Sequence, residues 1–216
     1  MRPVISALAA TFALALAATA ATAQSPAPVE PPYFADAVLR GDLPPVEQRV
    51  PAEPLVVMPG PGRTPGAYGG DLHTMIHRER DVRLLTVYGY ARLVGYDTDY
   101  NLVPDLVARV DVEGGRVFTL HLRPGHKWSD GQPFTAEDFR FWWQDVANDP
   151  EISSSGPPQV LIVAGEPPTV EFPDELTVRY AWTERNPFFL PAIAATTPLD
   201  IYAPAHYLKA FHAGYA

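Results

Sequence analysis

His73 and His77 stand four residues apart, as zinc-protease histidines do, but Thr74 occupies the place of the glutamate in a His-Glu-x-x-His motif. On a strand the same spacing puts two histidines on one face with no metal implied. Asp97, Asp99 and Asp105 offer oxygen ligands, yet their spacing lacks the glycine and the closing glutamate of an EF-hand loop. They read as a solvated turn. Ser153-Ser154-Ser155 is a polar loop with no base placed beside it. No Gly-x-Ser-x-Gly elbow, Gly-x-Gly-x-x-Gly turn or P-loop occurs. With 0 cysteines, thiolate metal sites, iron–sulfur clusters, disulfides and cysteine nucleophiles are excluded. No catalytic residue, metal site or cofactor is assigned.

Aromatic residues are the remaining chemistry. Tyr88, Tyr90, Tyr96 and Tyr100 cluster in sequence. Tyrosine and tryptophan line sites for extended polar ligands, though they fill cores more often. Just upstream, His77 to Arg83 is a charged run that cannot be buried unpaired.

The rest of the chain must position these groups. It has 216 residues, 47% hydrophobic and 19% charged, a globular composition of one or two domains. Its 25 prolines argue against a helix bundle. The formal charge of −9, with no basic cluster, argues against nucleic acid as a partner.

Met1-Arg2, an Ala/Leu-rich run from Val4 to Ala18, and Ala21-Thr22-Ala23 form the pattern of a secretory signal peptide over 1–23, cleaved before Gln24. A bacterial lipoprotein needs a cysteine after that cleavage site, and none exists, so the expected product is soluble, unlipidated and periplasmic. Residues 24–66 hold eleven prolines and read as an extended arm outside the core, with one short helix within Tyr33 to Leu43.

From residue 67 the pattern predicts a strand over Leu72 to Ile76, helix from Leu84 to about Tyr90, and a helical first turn at Pro104. A hairpin is expected from Ala108 to Val112 and Arg116 to Leu122 around Glu113-Gly114-Gly115, with Phe118, Leu120 and Leu122 inward. The best helix starts at Thr135, whose capping box closes on Asp138, and runs to about Asn148. Its buried stripe is Phe139, Trp142, Trp143 and Val146. A second hairpin is expected around Pro173-Asp174, then helices near Asn186-Pro187 and from Ala205 to Phe211.

The stretch Phe118-Thr119-Leu120-His121-Leu122-Arg123-Pro124-Gly125-His126-Lys127-Trp128-Ser129-Asp130-Gly131-Gln132-Pro133-Phe134-Thr135-Ala136-Glu137-Asp138-Phe139 closely resembles the signature of family 5 extracellular solute-binding proteins. Gly69-Gly70-Asp71-Leu72 resembles that family's first strand, and Leu102-Val103-Pro104-Asp105-Leu106 a segment further on. Tyr90-Ala91-Arg92 departs from the family's usual Tyr-Glu-Gly.

The resemblance implies an α/β fold of the type II periplasmic-binding class. Residues 67–216 would be its N-terminal lobe and extra subdomain, in a chain shorter than the family's usual length and so truncated. It implies a non-enzymatic binding component of an ABC importer that takes oligopeptides or similar small solutes, works as a monomer and delivers to an inner-membrane permease. The signature itself reads as scaffold, with Trp128, Phe134 and Phe139 packed together. By the same resemblance, ligand contacts fall on the segment after the first strand: Arg78, Glu79 and Arg80, able to pair with a peptide's charged termini, with Tyr88 and Tyr90 nearby. Ion pairing of those charges among themselves is the alternative. An exported hydrolase, which no catalytic constellation supports, and a sensor without transport are the other functional readings.

Overall fold

The structure is a computed structural model and describes residues 27–85 and 90–215. The expected signal peptide, the cleavage site and Tyr88 lie outside the described residues. Among the described residues no helix is long and apolar enough to cross a membrane.

The arm is better anchored than its proline content suggests. A 3-10 turn, Pro32–Phe34, leads into α1, Ala35–Leu39, as expected. A second helix, α2 (Val46–Arg49), was not expected. The Glu30 carboxylate explains it, accepting from the Val46 amide at 3.1 Å and pairing with Arg49. The arm, which contributes no residue to the core cluster, touches the body at two points. Lys127 Nζ donates to the Gln48 carbonyl at 2.6 Å, and the Ala52 amide to the Pro124 carbonyl at 3.2 Å. Gly125 permits this approach: it has φ +83°, and a Cβ there would lie 2.8 Å from the Ala52 nitrogen.

Residues 55–80 are exposed throughout. The strand expected over Leu72 to Ile76 does not form. A strand needs a ladder partner for its backbone groups, and among the described residues none pairs with it. Where helix was expected from Leu84, only a 3-10 segment, Glu79–Leu85, is described, and residues 86–89 lie outside the description.

Two strands follow, β1 (Val94–Tyr96) and β2 (Leu102–Pro104), antiparallel with Val94 opposite Pro104. Pro104 therefore ends a strand instead of opening a helix. At a strand end its missing N–H removes no needed ladder bond.

The main sheet has four strands: β3 (Val107–Glu113), β4 (Val117–Leu122), β5 (Thr169–Asp174) and β6 (Thr177–Ala181), in the order β3-β4-β6-β5, all antiparallel. The first hairpin forms as expected, with Gly114 and Gly115 at positive φ in its turn. Phe118, Leu120 and Leu122 face the core with Val178 and Tyr180 of β6. The second hairpin turns two residues later than expected, at Glu175-Leu176, and its register slips between Glu171 and Asp174, where Pro173 cannot donate.

Helix α3 (Ala136–Phe141) continues as a π-helical turn, Trp142–Ala147, and stops at Asn148. Phe139 and Trp142 are buried while Trp143 and Val146 are half-buried. The wider π-turn also brings Ala147 into the core. Two short helices close the described chain: α4 (Phe189–Ile193) after the buried Asn186, and α5 (Ala205–Leu208), extended by the 3-10 turn Lys209–Phe211.

Candidate functional site

The signature region folds around one buried carboxylate. Asp138 accepts from the Thr135 amide at 2.9 Å and from Trp128 Nε1 at 3.2 Å through Oδ2, and from the Ala205 amide at 3.0 Å through Oδ1. Thr135 returns the cap by accepting from the Glu137 amide at 3.3 Å. Asp138 thereby ties the helix start, the Trp128 turn and α5 together. Trp128, Phe134, Phe139 and Tyr202 pack beside it, with Trp128–Phe134 centroids at 5.5 Å and Phe134–Phe139 at 5.6 Å. The expected aromatic contacts are present.

Beside this knot runs a groove of about 740 Å³, lined by Glu137, Arg140, Asp174, Glu175 and His206. Its charges are largely spent internally. Glu137 binds Arg140 at 2.6 Å and Lys209 at 2.5 Å, and His206 binds Asp130 at 2.7 Å. The Arg140 hydrogen bond, reinforced by Lys209, holds the Glu137 carboxyl at a pKa of about 2. Arg140 is pushed still further up by the same partner. The groove is a clasp that holds α5 on α3.

The residues singled out for ligand contact lie elsewhere. Arg78, Glu79 and Arg80 are exposed at the entry of the 3-10 segment. The Arg78 amide donates to Asp81 Oδ2 at 3.1 Å, and the Asp81 amide to the Arg78 carbonyl at 2.9 Å, closing the turn. Among the described residues the side chains of Arg78, Glu79 and Arg80 form no ion pair, with each other or elsewhere. Tyr90 is 74% exposed, and Tyr96 and Tyr100 are exposed as well.

His73 and His77 lie on the exposed stretch, and among the described residues no three His, Cys, Asp or Glu side chains come together as a metal site. Asp97 is occupied by its own turn. It accepts from the Asp99 amide, the Asn101 amide and Asn101 Nδ2 at 2.8–3.0 Å, and the Asn101 side chain foremost holds its pKa below the usual carboxylate value.

One junction escaped the sequence reading. Where the β1–β2 pair joins the end of the first hairpin, the Arg92 amide donates to Asp105 Oδ2 at 3.0 Å and Arg123 Nε donates to the Asp105 carbonyl at 2.8 Å.

The family model for bacterial extracellular solute-binding proteins, family 5, middle region, matches residues 101–212. That stretch includes the signature strand, the Asp138 knot and α5, and it is more than half of the chain. The chain belongs to this family. Over 87% of its length it is 29% identical to the periplasmic alpha-galactoside-binding protein of Rhizobium meliloti, covering 30% of that protein. A shorter stretch, 27% of the chain and 10% of the relative, is 41% identical to the periplasmic oligopeptide-binding protein OppA of Escherichia coli.

Among solved structures, an oligopeptide-binding protein OppA superposes with a TM-score of 0.71 at 36% identity, over 87% of this chain and 29% of that one. The binding protein MelB of Agrobacterium fabrum C58, in complex with stachyose, superposes with a TM-score of 0.61 at 26% identity, over 88% and 32%. The α/β architecture is thus that of the type II periplasmic binding proteins over part of their length. The chain spans about a third of the length of these structures. The family consists of binding proteins, not enzymes.

Proposed function

We propose that this chain is part of the periplasmic substrate-binding component of an ABC importer, which captures oligopeptides or similar small solutes and passes them to an inner-membrane permease. Arg78, Glu79, Arg80, Tyr88 and Tyr90 supply its solute contacts. The product is exported, cleaved before Gln24 and unlipidated. The observation that carries the reading is the state of Arg78, Glu79 and Arg80. Three charges on one exposed turn, unpaired among the described residues, are free to meet a peptide's termini. Tyr90 adds an exposed ring beyond them.

An oligosaccharide is the second reading. It is favoured by the alpha-galactoside-binding relative, which aligns over 87% of the chain, against 27% for the Escherichia coli oligopeptide-binding relative. Exposed tyrosine rings also suit sugar faces.

The test is an NMR titration of the 15N-labelled chain with trialanine and, separately, with stachyose. An exposed segment gives up conformational freedom on binding, so affinity is expected near the millimolar range, about −4 kcal/mol. Trialanine should shift the amides of residues 78–80 and 90, and Tyr90→Ala with Arg80→Ala should weaken that response. Shifts with stachyose alone favour the sugar reading. Saturating shifts that leave residues 78–90 untouched overturn the assignment of the site.

A further inference from the structure

Two clefts share the turn Trp128-Ser129-Asp130. One, of about 290 Å³, lies between that turn and the start of α5, where Pro204, His206 and Tyr207 complete its lining. The other, of about 510 Å³, lies between the same turn and the arm, where Gln48 and Lys127 are among its walls. The first stands at the small end of ligand cavities and suits a single ring.

Contacts within the protein fix the groups that line them. The Trp128 indole is half-buried, held by its bond to Asp138 at 3.2 Å and by Phe134 with ring centroids 5.5 Å apart. Tyr207 is 58% exposed, and its ring is supported by Phe211 with centroids 5.2 Å apart. Asp130 binds His206 Nε2 at 2.7 Å through Oδ2 and accepts from the Gln132 amide at 3.1 Å through Oδ1. It is exposed, so each oxygen keeps a lone pair for a further donor. Lys127 Nζ gives one of its three hydrogens to the Gln48 carbonyl at 2.6 Å and forms no ion pair among the described residues. Ser129, also exposed, brings a hydroxyl that both donates and accepts.

Aromatic walls with a rim of mixed donors and acceptors select among ligands. A pyranose has an apolar C–H face for a ring to cover and an edge of hydroxyls that donate and accept. A small anion in the same place meets the Asp130 carboxylate, and a small cation meets Lys127. A neutral polyol uses both. We propose that the Trp128-Ser129-Asp130 turn and Tyr207 form a saccharide site: one ring lies against Trp128 and Tyr207 with its hydroxyls on Ser129 and Asp130, and an oligosaccharide extends past the turn toward Lys127. This goes beyond the solute contacts proposed at residues 78–90 and does not depend on them.

The test is a titration of the 15N-labelled full chain with stachyose and, separately, with trialanine. Stachyose should saturably shift the Trp128 Nε1–H signal, the Ser129 amide and the His206 ring, and trialanine should leave them in place. Tyr207→Ala should weaken the stachyose response at the turn about tenfold, and Tyr207→Phe, which keeps the ring, should preserve most of it. Hydrogen exchange at the Ala205 amide, unchanged in Tyr207→Ala, would show that α5 is still docked. Equal shifts at the turn with trialanine, no shifts there with stachyose, or parent-like stachyose binding by Tyr207→Ala each overturns the site. If a probe shifts residues 78–90 and stachyose leaves the turn untouched, this site falls and the reading of residues 78–90 stands. Stachyose shifts at the turn, with residues 78–90 silent to both probes, keep this site and remove that assignment.

Discussion

Replacing Asp138 by alanine removes the one acceptor shared by three parts of the fold. The Thr135 amide, the Ala205 amide and Trp128 Nε1 lose their partner, at 2.9, 3.0 and 3.2 Å respectively. A hydrogen bond to a charged acceptor contributes about 1.5–3 kcal/mol net. Taking the low end for the two amides, and about 1 kcal/mol for the longer indole bond, the loss is about 4 kcal/mol. That is a large share of the ~5–15 kcal/mol that stabilises a typical domain. Asp138→Asn keeps one carbonyl oxygen but gives up the charge, and should cost about half as much. Urea denaturation followed by tryptophan fluorescence and far-ultraviolet dichroism measures both. The midpoint should fall by about 2 M for alanine, given a slope of ~2 kcal/mol/M, with the slope itself unchanged. Hydrogen exchange at the Ala205 amide should accelerate in the same variant, because α5 loses its tether. A loss below about 1 kcal/mol, or an Ala205 amide as protected as before, would refute Asp138 as the organising group.

Trp142→Ala should cost about 3–5 kcal/mol and Trp143→Ala clearly less, since only the first ring is buried; equal midpoints would contradict the orientation of the helix. Glu137 has a folded pKa of about 2 against 4.5 unperturbed, so its contribution is complete above pH 4.5 and is lost as pH falls toward 2. The side chain is 43% exposed, which screens the pair and leaves roughly 1 kcal/mol; Glu137→Gln should show a smaller acid-induced drop than the parent across that window, more so at low salt. Gly125→Ala places a Cβ against the Ala52 nitrogen and forces a left-handed backbone on alanine. It should cost about 1–2 kcal/mol and speed proteolysis of the arm near residue 52; an unchanged cleavage rate would mean that the arm does not depend on this contact.

Local chemistry determined what the sequence alone could state. Alternation in Phe118, Leu120 and Leu122 specified the buried face of β4, because side chains of a strand alternate whatever lies beyond it. Thr135 and Asp138 declared a helix start, because a capping box is closed within four residues. The signature from Phe118 to Phe139 carries the family resemblance in its residues alone. Pairing that reaches across the chain was decided only by the tertiary structure. Leu72 to Ile76 has apolar residues suited to a strand, yet a strand exists only where another backbone completes its ladder. Val46 became buried and helical because Glu30 lay in reach, sixteen residues upstream. Asp138 was legible as a cap, but its bonds to Trp128 and to Ala205, 67 residues away, were not.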